Sequence, residues 1–151
     1  MTSCVYQLKF SKNSFDLDED YARLSDYEKE KISDLDAEAF FDCGDPDGYY
    51  VCYVITSPLE IKSYIGVLNN NLIQHQCIDL SLDVLSNKVD LEIDLAYHLT
   101  TTNSIKYSYF VDELNDWIYA NLEMDIVLDR ISESGMDSLR EVDRLFLDNY
   151  K

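Results

Sequence analysis

Cations are scarce in this chain of 151 residues. Twelve Lys and Arg stand against thirty Asp and Glu, giving a formal net charge of −18 and a pI near 4.1. A chain with so few cations lacks the basic face needed to wrap a phosphate backbone, and anionic membrane surfaces repel it. Long apolar runs are also missing. The longest span only a few residues, such as Ile126-Val127-Leu128, too short to cross a bilayer as a helix. The start, Met1-Thr2-Ser3-Cys4, lacks the basic-then-apolar layout of a signal peptide. Together these point to a soluble, cytoplasmic protein. Glycine occurs only at Gly44, Gly48, Gly66 and Gly135. That leaves no glycine-rich phosphate loop and no dinucleotide fingerprint, and Gly-x-Ser-x-Gly is absent. Cys4, Cys43, Cys52 and Cys77 contain no C-x-x-C pair. A chain this long needs no disulfide staples, so they read as free, buried thiols.

What remains is ample for a core. Hydrophobic residues make up 46%, too many for a disordered acidic chain. The length fits one domain, residues 1–151, with mixed α and β character over 1–99 and helix over 104–150. No internal repeat or low-complexity linker divides it.

Cys4 to Phe10 predicts a first strand and Ser11 to Asp20 a loop. Tyr21 to Asp42 has helical character, with Leu24, Tyr27, Ile32, Leu35, Ala39 and Phe40 on one side. Asp42 to Gly48 is dense in turn formers. Tyr49 to Thr56 (YYVCYVIT) is nearly all β-branched or aromatic and predicts a central strand. Ser57-Pro58-Leu59-Glu60 places an N-cap serine, an N1 proline and an N3 glutamate at the start of a helix. That helix carries Leu59, Tyr64, Ile65 and Leu68 as apolar positions and ends at Asn69-Asn70-Asn71. Leu72 to Leu80 alternates as a strand, which completes a β-α-β unit with either parallel or antiparallel packing.

A turn or short helix is expected over Asp79 to Lys88. Val89 to Leu95 (VDLEIDL) alternates strictly, an expected strand with Asp90, Glu92 and Asp94 on its outer face. From Tyr107, apolar residues recur at Phe110, Val111, Leu114, Trp117, Ile118 and Leu122, the pattern of a long amphipathic helix. A second helix spans Asp125 to Ser134 and stops at Gly135. Ser138 to Glu141 offers another capping box, with Leu139, Val142, Leu145 and Phe146 as the inner face of a final helix. The fold class is therefore α+β: a small sheet including a β-α-β unit, with a C-terminal helical segment packed on it.

The segment Asp129-Arg130-Ile131-Ser132, then Gly135, Ser138-Leu139 and Phe146-Leu147, resembles a short C-terminal motif of Bacteroidota proteins, found also after some rhomboid-type membrane proteases. The family version has Thr and Glu after the Ser-Leu pair, where this chain has Arg140 and Glu141. The resemblance implies a helix-turn-helix tail and a bacterial or phage source. It carries no catalytic residue, so it implies no activity.

Chemistry finds little to stand on. His75 and Cys77 alternate on an expected strand and form half of a zinc-binding pattern, with no second pair at ligand spacing. Cys43 and Cys52 lack any flanking signature of a nucleophile. Asp16-x-Asp18-x-Asp20 resembles the start of a calcium loop, but Tyr21 and Tyr27 occupy the positions that require Gly and Glu. Asp45-x-Asp47-Gly48 fails likewise, at Cys43 and Val54. A single tryptophan gives sugars little to stack on.

The surface is more informative. On the Val89 to Leu95 strand, successive carboxylates would lie roughly 7 Å apart, on the order of phosphate spacing along one DNA strand. Asp112, Glu113 and Asp116 form a second acidic row on the long helix. Twelve tyrosines supply rigid contact area of the kind enriched at interfaces, among them Tyr49, Tyr50, Tyr53, Tyr107, Tyr109 and Tyr119. The reading is a non-enzymatic protein-binding module with no catalytic residue, cofactor or metal. It would be an inhibitor of the anti-defence or immunity type, acting on a basic, nucleic-acid-binding protein. Asp90, Glu92, Asp94, Asp112, Glu113, Asp116, Tyr109 and Tyr119 would make the contact. Two alternatives stand beside it: a small metal-binding protein or enzyme using His75 and Cys77, and an accessory subunit whose acidity is incidental.

Overall fold

The computed structural model describes residues 2–11, 19–37, 39–43, 48–89, 91 and 104–150. Four strands form one sheet: β1 (Cys4–Ser11), β2 (Ala39–Cys43), β3 (Tyr49–Thr56) and β4 (His75–Asp79). Their order is β2-β3-β1-β4, and every neighbouring pair is antiparallel. Six α-helices accompany them among the described residues: α1 (Asp26–Ala37), α2 (Pro58–Asn70), α3 (Ser81–Leu85), α4 (Ser104–Asn121), α5 (Met124–Ser134) and α6 (Glu141–Asn149). The class is α+β, as the sequence implies.

Strand alternation sorts the core into two layers. Cys4, Tyr6, Leu8 and Phe10 of β1 join Cys52 and Val54 of β3 on one face, against Ile61, Tyr64 and Leu68 of α2. Val5, Val51 and Tyr53 point the other way, into Phe110, Leu114, Trp117 and Ile118 of α4, Val127 of α5 and Val142 of α6. The helical tail thus packs on the sheet. Each of those large α4 side chains contributes about 1.5–3 kcal/mol by leaving water, which fixes the helix and the direction its outer face points.

The β-α-β unit is present in split form. β3 and β4 each run antiparallel to β1, so they are parallel to one another with β1 between them. α2 makes the connection. Its cap is the one its sequence predicts: the Ser57 hydroxyl accepts from the Glu60 amide at 3.1 Å, and Pro58 occupies the first turn. Leu59, however, is 78% exposed, and Ile61 and Val67 take the inner positions with Tyr64 and Leu68.

Several expectations are corrected. Tyr21 to Asp42 is not one helix. Tyr21–Arg23 is a 3-10 turn, Leu24 is extended, and α1 begins only at Asp26. There the Ser25 hydroxyl accepts from the Glu28 amide while the Glu28 carboxylate accepts from the Ser25 amide, both at 3.2 Å, a reciprocal capping box. Ala39 to Cys43 pairs with β3 as β2, because its backbone finds partners there from Ala39↔Tyr53 to Cys43↔Tyr49. The strand expected from Leu72 starts at His75, since Leu72 itself turns the chain with a φ of 54°. Of the strand expected over Val89 to Leu95, Val89 is a bend and Leu91 is helical. Asp90 and residues 92–100 lie outside the described residues, as do 101–103 and 12–18.

The final helix is capped two residues later than its sequence suggests. Met136–Ser138 forms a 3-10 turn, closed by the Ser138 hydroxyl donating to the Gly135 carbonyl at 2.7 Å. Arg140 is the N-cap of α6, and its backbone N–H donates to Asp143 Oδ2 at 2.9 Å. Leu145, expected on the inner face, is 52% exposed.

Candidate binding surface

α4 positions the candidate contact residues. Its buried residues Phe110, Leu114, Trp117 and Ile118 anchor one side, and the Trp117 indole N–H donates to the Ser3 carbonyl at 3.2 Å. With that side fixed, Tyr109, Asp112, Glu113, Asp116 and Tyr119 fall at i, i+3, i+4, i+7 and i+10. They form one stripe about 15 Å long. All five are exposed, Tyr109 at 72% and Tyr119 at 39%. Five of the eight residues singled out in the sequence are thereby brought together. The other three, Asp90, Glu92 and Asp94, lie outside the described residues.

Among the described residues, none forms an ion pair with Asp112, Glu113 or Asp116. Partial desolvation pushes the Glu113 carboxyl above its ordinary range, although the residue as a whole is exposed. Several cations elsewhere are engaged. Lys31 pairs with Glu60, and Arg23 with Asp20 at 3.5 Å. The Lys9 ammonium lies 3.9 Å from the centre of the Tyr49 ring.

A buried ionic cluster behind α4 is the feature that sequence reading missed. Asp143 is 0% exposed. It accepts from Arg130 Nη1 at 2.7 Å, and from Arg140 Nε and Nη2, both at 3.0 Å. Arg140 also donates to the carbonyls of Val84 at 2.6 Å and Leu85 at 3.0 Å, the C-terminal end of α3. Arg130 reaches the Ser138 carbonyl. One carboxylate thus joins α5, α6 and α3. Two guanidiniums and one carboxylate leave +1 inside, so the remainder of the chain carries −19 where the whole carries −18. The helical pattern of the tail predicted where its helices lie but gave no sign that these three charges turn inward.

Beside the stripe, α4 and α6 enclose an open cleft of about 400 Å³, lined in part by Asp116, Tyr119, Arg140, Glu141 and Leu145. The Tyr119 ring meets Phe146 edge-on at 6.3 Å, and Phe146 lies 5.7 Å from Tyr150.

His75 and Cys77 do share a face of β4, both half-buried. The His75 Nδ1 is hydrogen-bonded with the Ile73 carbonyl at 2.9 Å. Burial first, and the Asp79 charge second, push the Cys77 thiol up, away from the reactive thiolate. Cys4 and Cys52 are buried free thiols. Among the described residues no three His, Cys, Asp or Glu are gathered as a metal site, and no helix is long and apolar enough to cross a membrane. Tyr53 is a core residue whose hydroxyl accepts from the Gln7 amide at 3.0 Å, so it is not a surface anchor.

No protein-family model matches this chain, and no curated protein or solved structure shows significant similarity to it.

Proposed function

We propose that this chain is a non-enzymatic, acidic protein-binding module: an inhibitor of the anti-defence or immunity type whose target is a basic protein that itself handles nucleic acid. The observation that carries this reading is the α4 stripe. Three carboxylates without ion-pair partners among the described residues stand between two exposed tyrosines on a helix anchored by its buried face. Carboxylates on an ordered backbone offer a basic partner a fixed charge pattern, which steers association and sets register. The flanking tyrosines add rigid contact area at small entropic cost.

The test starts with affinity capture from the native host and identification of the bound protein, followed by titration of the two purified partners. Raising NaCl from about 0.05 M to about 0.5 M shortens the reach of surface charge several-fold. It is expected to weaken the complex at least tenfold, chiefly by slowing association. Combined reversal of Asp112, Glu113 and Asp116 to Lys is expected to do the same at low salt. Binding insensitive to both changes would rule the reading out.

A further inference from the structure

The cleft between α4 and α6 continues the acidic stripe and adds what the stripe lacks, an apolar wall. Tyr119 comes from α4 and Leu145 from α6, and both remain substantially exposed while lining it. Asp116 stands on the α4 side and Glu141 on the α6 side. Among the described residues, Arg140 is the one cation in the lining. Its Nε, Nη1 and Nη2 are already committed to Asp143 and to two α3 carbonyls, so it does not offer the cleft an anion-binding fork. The available charge of the cleft is therefore negative, and Tyr119, Val142 and Leu145 give an otherwise polar lining its apolar part. A volume of about 400 Å³ lies within the roughly 300–1,000 Å³ span of clefts that hold a ligand group.

We infer that this cleft docks a short basic segment of the protein partner, in which an aliphatic side chain enters between Tyr119 and Leu145 while flanking Lys or Arg residues meet Asp116 and Glu141. This rests on the reading of the chain as an acidic binding module, and it deepens that reading by locating the anchor. An acidic row alone attracts any polycation. A row that ends in a cleft with an apolar part discriminates, because only a segment with the right side chain between its charges fills the space. Asp112, one turn before Asp116 on the same stripe, extends the acidic track toward the approaching partner.

The inference is tested by following amide resonances of the full chain in two-dimensional NMR, with three capped synthetic peptides of equal length: alternating lysine and leucine, all lysine, and alternating serine and leucine. The lysine–leucine peptide is expected to shift Asn115, Tyr119 and Leu145 first and to bind at least tenfold more tightly than either other peptide. Leu145→Ser is expected to remove that tenfold advantage. Tyr119→Ala provides an independent check, since both residues are exposed enough to be replaced without unfolding the chain. Equal affinity for the lysine–leucine and all-lysine peptides, or no effect of either substitution, would overturn the cleft and leave the acidic surface standing. No binding of any lysine-containing peptide at low salt would bring down both.

Discussion

Asp143 has no solvent exposure, and four donors converge on its two oxygens. Such a carboxylate is costly to bury and more costly to remove, because two guanidiniums would be left in the interior without their counter-charge. Asp143→Asn keeps the shape and removes the charge. It is expected to lower stability by about 3–5 kcal/mol, read as a fall in the urea midpoint; a loss under about 1 kcal/mol would mean that the cluster is not what joins α5, α6 and α3. Tyr6 makes a prediction about pH. Burial first, then a hydrogen bond with Cys4, raises its hydroxyl from 10.0 to about 12. The folded state therefore holds this proton longer than the unfolded chain does. Its contribution is intact below pH 10 and is lost as pH rises toward 12, a change on the order of 2–3 kcal/mol. Between those pH values the urea midpoint of Tyr6→Phe is expected to fall less than that of the parent; parallel falls would refute the assignment. Neither residue was legible from the sequence. Asp143, Arg130 and Arg140 look like solvated charges on amphipathic helices, and only the packing of three elements turns them inward.

At the scale of elements, Gly135 shows what sequence reads well. It ends α5 with φ 80° and ψ 169°, a region essentially reserved for glycine. A Cβ there meets nothing within 4 Å, so Gly135→Ala is a backbone test alone. It is expected to cost about 1–3 kcal/mol in chemical denaturation, with no loss of helical signal beyond the end of α5. The amphipathic α4, the cap at Ser57 and the central β3 were legible because each is written in local chemistry. The Ser25–Glu28 box is equally local, and its S-x-x-E spacing was open to the same reading. β2 was not, since Ala39 and Phe40 continue the helical spacing of Leu35 and become strand only through pairing with β3. The acidic stripe was visible in the period of α4. The cleft was not, because it needs α6 beside α4, with Leu145 turned outward.

For the whole molecule, charge acts in two opposite directions. A net charge of −18 repels itself in the folded state, and added salt screens that repulsion. Melting temperature is therefore expected to rise between about 0.02 M and 0.5 M NaCl, by about 2–4 °C for each kcal/mol relieved, while affinity for the basic partner falls over the same range. A melting temperature that stayed flat or dropped would show that local pairs such as Lys31–Glu60 outweigh the long-range field. The sheet order has a consequence for the growing chain. β1 is not an edge: it lies between β3 and β4, and its Cys4 pairs with Thr56 while its Tyr6 pairs with Asp79. On the ribosome β1 emerges first, yet its partners emerge dozens of residues later, so it waits unpaired while the β2–β3 hairpin closes by itself. Deleting β1 would not trim the sheet. It would remove the strand that both halves share and leave β4 with no neighbour among the described strands.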